Sequence, residues 1–505
     1  MRLKSHFGAS RRSRILVLLS IFVVIGLAFS YYHTIHSISG LIPEFKSPSS
    51  IWTSKPPKPS KFWLSFAPLL GEAAPNCPPP ERQESTVLAK NRFYNERWIL
   101  RLGGNWLVDE VPFPNQLKMK RSDVQSMREK HSLFVDLLNT KAPTLDYEKG
   151  TKGIVTSAGG SYFPDLIISL LMLRRSGSTL PVEVFLTTPS EYEPQICESI
   201  LPYLNAKCII LSDILSDTPH GFTIQKFQIK IFAMLFSSFE SLLFLDADNF
   251  PIHPPEELFS MEPFTKNHLV LWPDFWTSTA SPIFPDIVGL SPDILRTRPT
   301  IESGQILVSK KHHAKTLLLA AYYNVYGDYF YPLISQGGPG EGDKDTFAPA
   351  ALVLNNAFYT VETPPVNLGI RNVGGSAIVH YDPSIPYPCP APSPGSETCE
   401  ARAFFIHASW SPKLNALQKL QSTRKWGDEK KNRQMFGMDV EKVVWGYMVE
   451  VACNDWEFAD WGNGNKTATP VCAQSKKCFR DVFGDEWDGV MVDVDKKVQI
   501  GDVLT

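Results

Sequence analysis

The stretch Leu242-Leu-Phe-Leu-Asp-Ala-Asp-Asn249 runs four apolar residues straight into two carboxylates one residue apart. A short apolar run without alternation suits a strand covered on both faces, so residues 241–245 read as a central strand of an α/β sheet. Asp246 and Asp248 then fall at its carboxyl end, the edge where open α/β sheets bind ligands. Two hard oxygen ligands there suit Mg²⁺ or Mn²⁺, which take carboxylates together with the phosphate oxygens of a substrate. Asp-x-Asp also occurs in plain turns, and Asn249-Phe-Pro251 can make one. The rest of the chain has to choose between these readings.

Upstream, residues 153–158 read as a first strand, followed by Gly159-Gly160 and an apolar helix over 163–174. A strand over 182–187, a helix over 191–201, a strand over 208–211 and a helix over 222–236 lead up to Leu242. Strands alternating with helices predict a mostly parallel, Rossmann-like sheet with helices on both faces. At Gly159 the backbone amides can approach a nucleotide at a helix start. A tight turn without a ligand reads equally well, and neither the dinucleotide nor the P-loop fingerprint is present.

The N-terminus supplies the setting. Arg2, Lys4, Arg11, Arg12 and Arg14 precede an uncharged apolar run over 15–32. About 20 such residues cross a bilayer, and basic residues before the span keep its start cytosolic. The expected organisation is a cytosolic tail over 1–14 and a signal anchor over 15–32. A Pro/Ser-rich stem over 33–85 and a luminal domain over 86–505 follow. Ala28-Phe-Ser30 leaves a cleaved signal peptide as the alternative. Trp52, Trp63 and Phe66 argue that part of the stem docks on the domain.

The net charge of −2 offers no basic footprint for nucleic acid, so a nucleic-acid partner is not expected. None of the eight cysteines forms a zinc-type C-x-x-C pair. In a luminal compartment disulfides are the better reading. Proximity suggests Cys197 with Cys208 and Cys389 with Cys399, although pairing is not deducible from sequence. Asn465-Lys-Thr467 is a sequon for N-glycosylation.

Further polar clusters follow Asp246: Glu302-Ser-Gly-Gln305, Gly340-Glu-Gly-Asp-Lys-Asp345, and His407 after an apolar strand with Lys413 six residues later. This order resembles GT-A glycosyltransferases, and most closely the fungal Golgi α-mannosyltransferase family. The residues that carry the resemblance are Lys152-Gly-Ile-Val-Thr156, Thr179-Leu-Pro-Val-Glu-Val-Phe185, the helix from Lys226 to Glu240, Leu242 to Asn249, Glu302 to Gln305, and Gly342-Asp-Lys-Asp-Thr-Phe347. The similarity spans about residues 150–415. A more distant similarity runs to glycogenin-like retaining transferases. There Glu302 stands in place of an Asn, and Lys344 in place of a Gln.

The resemblance implies a Golgi, single-pass type II membrane enzyme. It would transfer mannose from GDP-mannose to a mannoside or N-/O-glycan acceptor with retention, within a Golgi transferase complex. It implies Mn²⁺, or another divalent cation, on Asp246, Asp248 and His407. Lys230, Asp246, Gly159, Ser303, Gly304 and Lys413 are the implied donor-binding residues. Glu302, Asp343, Lys344 and Asp345 are the implied residues around the reacting sugars. Asp343 and Asp345 also suit the N-cap of the following helix. Trp445, Trp456 and Trp461 suit either core packing or an acceptor platform. A UDP-sugar donor, or a non-catalytic glycan-binding or scaffold subunit on the same fold, is the alternative.

Overall fold

The computed structural model describes residues 60–484, apart from 84–113, 216–223, 225–226, 297, 371–373, 388–399, 410–412, 415–422, 455 and 461–468. Helix α1 (Lys61–Glu72) belongs to the expected stem, yet it is part of the folded body. Trp63 and Phe66 are entirely buried, and the Trp63 ring meets Phe232 edge-on at 5.6 Å. Each such side chain removed from water stabilises the docking by roughly 1.5–3 kcal/mol. The long helix α2 (Arg121–Lys141) brings Phe134 onto Phe66.

The main sheet follows. Strand β1 (Glu148–Ser157) leads through the Gly159 turn into helix α3 (Phe163–Arg175). That helix has Pro164 in its first turn, Asp165 near its start, and Arg174 and Arg175 at its end. These are the residues a helix terminus and its dipole favour. Strands β2 (Val182–Leu186) and β3 (Ala206–Ile210) come next. Between them the expected helix over 191–201 is helical only from Pro194 and carries a π turn at Ile196–Ile200. Cys197 and Cys208 form a disulfide there, as proximity suggests.

Helix α4 (Gln228–Phe236) precedes β4 (Phe239–Leu245), whose final four residues are buried, as an interior strand requires. A short β5 (Asn249–Pro251) leaves this sheet, and β6 (Leu269–Thr277), β7 (Pro299–Ser309), helix α5 (Lys310–Val325), helix α6 (Phe347–Val353) and β8 (Tyr359–Thr360) complete the layer. The order is β8-β6-β7-β4-β1-β2-β3. Four of the six pairings are parallel. β7 runs antiparallel to both of its neighbours, so the sheet is mixed rather than uniformly parallel. Ser303 and Gly304 lie inside this strand.

A second sheet, absent from the sequence reading, is antiparallel throughout. Its strands β9 (Val366–Ile370), β10 (Gly374–Tyr381) and β11 (Ala403–His407) join β5 in the order β9-β10-β11-β5. The two sheets are tied together at Trp272, whose indole N–H donates to the Tyr381 carbonyl at 2.8 Å. The Trp272 ring also meets Phe405 edge-on at 5.4 Å.

Near the C-terminus, helices α7 (Val440–Cys453) and α8 (Thr469–Phe483) are joined by the Cys453–Cys472 disulfide. Trp445 is buried against Phe483, and Trp456 packs on the core, so both take the packing role. Among the described residues no helix is long and apolar enough to cross a membrane. The expected anchor over 15–32, Trp52, the Cys389–Cys399 pair, Asn465 and Trp461 lie outside the described residues.

Candidate active site

The chain leaves β4 at Leu245, turns through Asp246 and Asp248, and re-enters pairing as β5. The turn closes where the Asn249 N–H donates to the Asp246 carbonyl at 3.0 Å. β5 pairs with β11 so that Asn249 stands opposite His407. That register brings a residue about 160 positions away beside the two aspartates. The His407 Nε2 is 3.2 Å from Asp248 Oδ1 and 3.9 Å from Asp246 Oδ2. One ligand atom from each of Asp246, Asp248 and His407 can be chosen so that all lie within 4.8 Å of one another. Two carboxylates and an imidazole this close suit a divalent cation of the Mn²⁺ class.

Lysines brace the carboxylates. Lys230, on α4, is buried and lies 3.1 Å from Asp246 Oδ1 and 3.3 Å from Asp343 Oδ2. It also donates to the Ser303 carbonyl at 2.8 Å and the Ser303 hydroxyl at 2.9 Å. Lys413 sits 2.7 Å from Asp248 Oδ2, with its ammonium over the exposed ring of Tyr162 at 5.0 Å. The Lys413 backbone is left-handed (φ 51°), a strained turn of the kind found at functional sites. Tyr162 lies just after Gly159, whose φ of 152° lets the chain turn from β1 toward α3. The Gly159 turn therefore borders the cluster, on the side where Lys413 is 31% and Asp246 26% exposed.

Lys344 lies deeper. Its ammonium is 2.7 Å from Asp274 Oδ2 and 3.9 Å from Asp345 Oδ2, and all three side chains are buried. Asp345 Oδ1 accepts from the Ile301 N–H at 2.8 Å. Lys344 and Asp345 thus lock the 343–345 segment to β6 and β7. Neither Asp343 nor Asp345 caps α6: Thr346 occupies the N-cap without a side-chain cap, and its N–H bonds the Asp343 carbonyl. Asp274 escapes a motif reading. The signal for it was a carboxylate set among aromatics, in Trp272-Pro-Asp-Phe-Trp276, at the end of an apolar run.

The electrostatics follow from this crowding. Six carboxylates (Asp246, Asp248, Asp274, Glu302, Asp343 and Asp345) share the cluster with Lys230, Lys344 and Lys413. The surplus of negative charge favours a bound cation. Burial raises the carboxyl pKa of Asp246, against the pull of Lys230 and His407. Burial also acts to raise that of Asp248, but His407 and Lys413 outweigh it and hold the group low. For His407, burial opposes protonation, yet Asp248 and Glu302 carry the ring up to about 10. A metal ion at Nε2 would displace that proton, so binding is coupled to proton release.

The comparisons with known proteins come to the same place. A family model described as "Mannosyltransferase putative" matches residues 151–298 and 293–378. Alpha-1,2-mannosyltransferase MNN21 of Candida albicans is 33% identical over 475 residues, covering 80% of this chain and 70% of the relative. Alpha-1,2-mannosyltransferase MNN2 of Saccharomyces cerevisiae is 37% identical over 283 residues, 49% of this chain and 47% of the relative. The chain thus spans about half the length of some of the curated relatives it matches. The crystal structure of the glycosyltransferase GlyE of Streptococcus pneumoniae aligns at 14% identity over 42% of this chain and 45% of that one. Its TM-score of 0.28 is too low to carry an argument. The chain belongs to the yeast α-1,2-mannosyltransferase family, a family of glycosyltransferase enzymes.

Proposed function

We propose that this member of the family transfers mannose from GDP-mannose to the 2-hydroxyl of a mannoside acceptor. In this reading the transfer retains the α configuration and uses a divalent cation, Mn²⁺ first among them. The observation that carries the reading is the convergence of Asp246, Asp248 and His407 at the carboxyl edge of the sheet. Membership among α-1,2-mannosyltransferases supports the sugar and the linkage. The similarity to retaining transferases supports the stereochemistry.

When bound, the cation supplies a Lewis acid that screens charge growing on the diphosphate leaving group. Asp246 and Asp248, one residue apart in the turn, would hold it together with His407. Lys413, partly exposed, is the lysine placed to meet a phosphate oxygen. Lys230 is buried, and its role is to hold Asp246, Asp343 and Ser303 in one arrangement. Asp343 is the carboxylate of the 343–345 segment that faces the metal side, where it can accept a hydrogen bond from a sugar hydroxyl.

We extend the reading to location: a type II Golgi membrane protein anchored by residues 15–32, with the catalytic domain luminal. The disulfides Cys197–Cys208 and Cys453–Cys472 support an oxidising compartment. The test is the full-length chain assayed with GDP-mannose and UDP-sugars, with Mn²⁺ or chelator, on a panel of mannosides. Expected is Mn²⁺-dependent transfer from GDP-mannose alone, with an α-1,2 linkage in the product. Turnover with a UDP-sugar but not GDP-mannose would overturn the donor assignment. Recovery in the soluble fraction without detergent would overturn the anchor.

A further inference from the structure

The carboxylate of Glu302 faces His407 from the side opposite the two aspartates. His407 Nδ1 lies 3.4 Å from Glu302 Oε1, while Nε2 of the same ring points at Asp248 and Asp246. Glu302 is itself held, because its Oε1 accepts from the Gly304 N–H at 2.9 Å. The same glycine makes room for the ring: a Cβ on Gly304 would lie 2.5 Å from His407 Nδ1. Gly304 is then pinned to the metal-side turn, since its carbonyl accepts from the Asp246 N–H at 2.9 Å and Asn249 Nδ2 at 2.8 Å. Hydrogen bonds thus tie Glu302 through Gly304 to the Asp246 turn. The His407 ring lies against this unit, with Nδ1 at ion-pair distance from Glu302 and no other partner among the described residues.

The geometry points to Glu302 as a positioning residue that holds the Nδ1–H of His407 and presents Nε2 to the divalent cation. This rests on the metal reading above. It gives Glu302 a role different from contact with a sugar. A carboxylate behind a metal-binding imidazole fixes the tautomer, orients the ring and makes the ligating nitrogen more basic. Glu302 is partly buried, with 12% of its side chain exposed.

Glu302→Gln tests the assignment, because it keeps an oxygen for Gly304 while removing the charge. In the full-length chain, free Mn²⁺ followed by electron paramagnetic resonance should show a Kd raised about tenfold or more. Saturating Mn²⁺ should then restore the acceptor KM and most of kcat. With ¹⁵N-labelled histidine, the wild-type protein should show a slowly exchanging His407 Nδ1–H that moves or broadens in the variant. A Kd within about twofold of wild type overturns the proposal. So does an acceptor KM that stays high at saturating Mn²⁺, which would mean that Glu302 touches sugar. A wild-type protein that binds no Mn²⁺ would sink the metal clamp instead. The Nδ1–H signal, read without metal, would then still decide whether Glu302 orients the ring.

Discussion

The two ends of β4 treat buried charge in opposite ways. At the amino end, Lys310 is buried and donates to the carbonyls of Asp146, Leu235 and Ser237 at 2.7, 2.8 and 2.6 Å. Burial pushes its pKa down to about 7. Beside it, Glu183 accepts from the Ser238 N–H at 3.0 Å and hydroxyl at 2.6 Å. At the carboxyl end, Lys230 is equally buried but faces Asp246 and Asp343 as well as Ser303, and its pKa is held above the usual lysine range. Main-chain partners cannot leave, so the amino-end charges are bound up in the fold. At the carboxyl end side chains supply most of the partners, and side-chain partners can be exchanged for the oxygens of a ligand.

The contrast can be broken from either end. Asp248→Asn should cut Mn²⁺-dependent transfer by about 10³-fold, as the loss of an electrostatic group at a developing charge does. Circular dichroism should still report a folded chain. Undiminished transfer would remove Asp248 from the metal set. Lys310→Met should do the reverse. It strands three carbonyls and should cost about 3 kcal/mol in a denaturant titration, with the Mn²⁺ Kd unchanged. A shifted Kd there would mean that the two ends are coupled.

Smaller changes sharpen the comparison. Gly304→Ala inserts a methyl against His407 and should weaken Mn²⁺ binding by about tenfold, read in the same resonance titration. Asp345 offers a pH test. Burial raises its carboxyl to about 6, from 3.8, against the pull of Lys344. Between about pH 4 and 6 the native state binds more protons than the unfolded one, so this group lowers stability as pH rises through that window. Asp345→Asn should flatten that fall by about 1–2 kcal/mol in melts run across the window. An unchanged slope would mean that Lys344 keeps Asp345 ionised throughout.

Much of this was legible along the chain where the signal is local. The buried strand, the Asp246-Ala-Asp248 turn and helix α3 depend on neighbours close along the chain, and the Cys197–Cys208 pair that proximity suggested spans only 11 positions. The docked stem helix was legible through Trp63 and Phe66, whose bulk has no reason to sit in a linker. Non-local pairing was not legible. The antiparallel course of β7, the whole second sheet, and the Lys344–Asp274 pair across 70 positions follow from which strands meet. The N-cap that Asp343 and Asp345 also suited is the local option, and it is not used: Lys230 and the Ile301 N–H engage their side chains instead.

By itself the sequence determined the residue types of the site: hard oxygen donors after an apolar strand, a late histidine, and lysines enough to balance some of the charge. Periodicity and turn chemistry act over short range, so they survive being read one residue at a time. The tertiary structure alone decided that Asn249 lies opposite His407, and that Glu302 stands 3.4 Å from the ring on its Nδ1 side. Strand register is a cooperative property of two distant segments packed on a shared core. A one-residue slip would turn His407 to the other face and dismantle the site without altering a single motif.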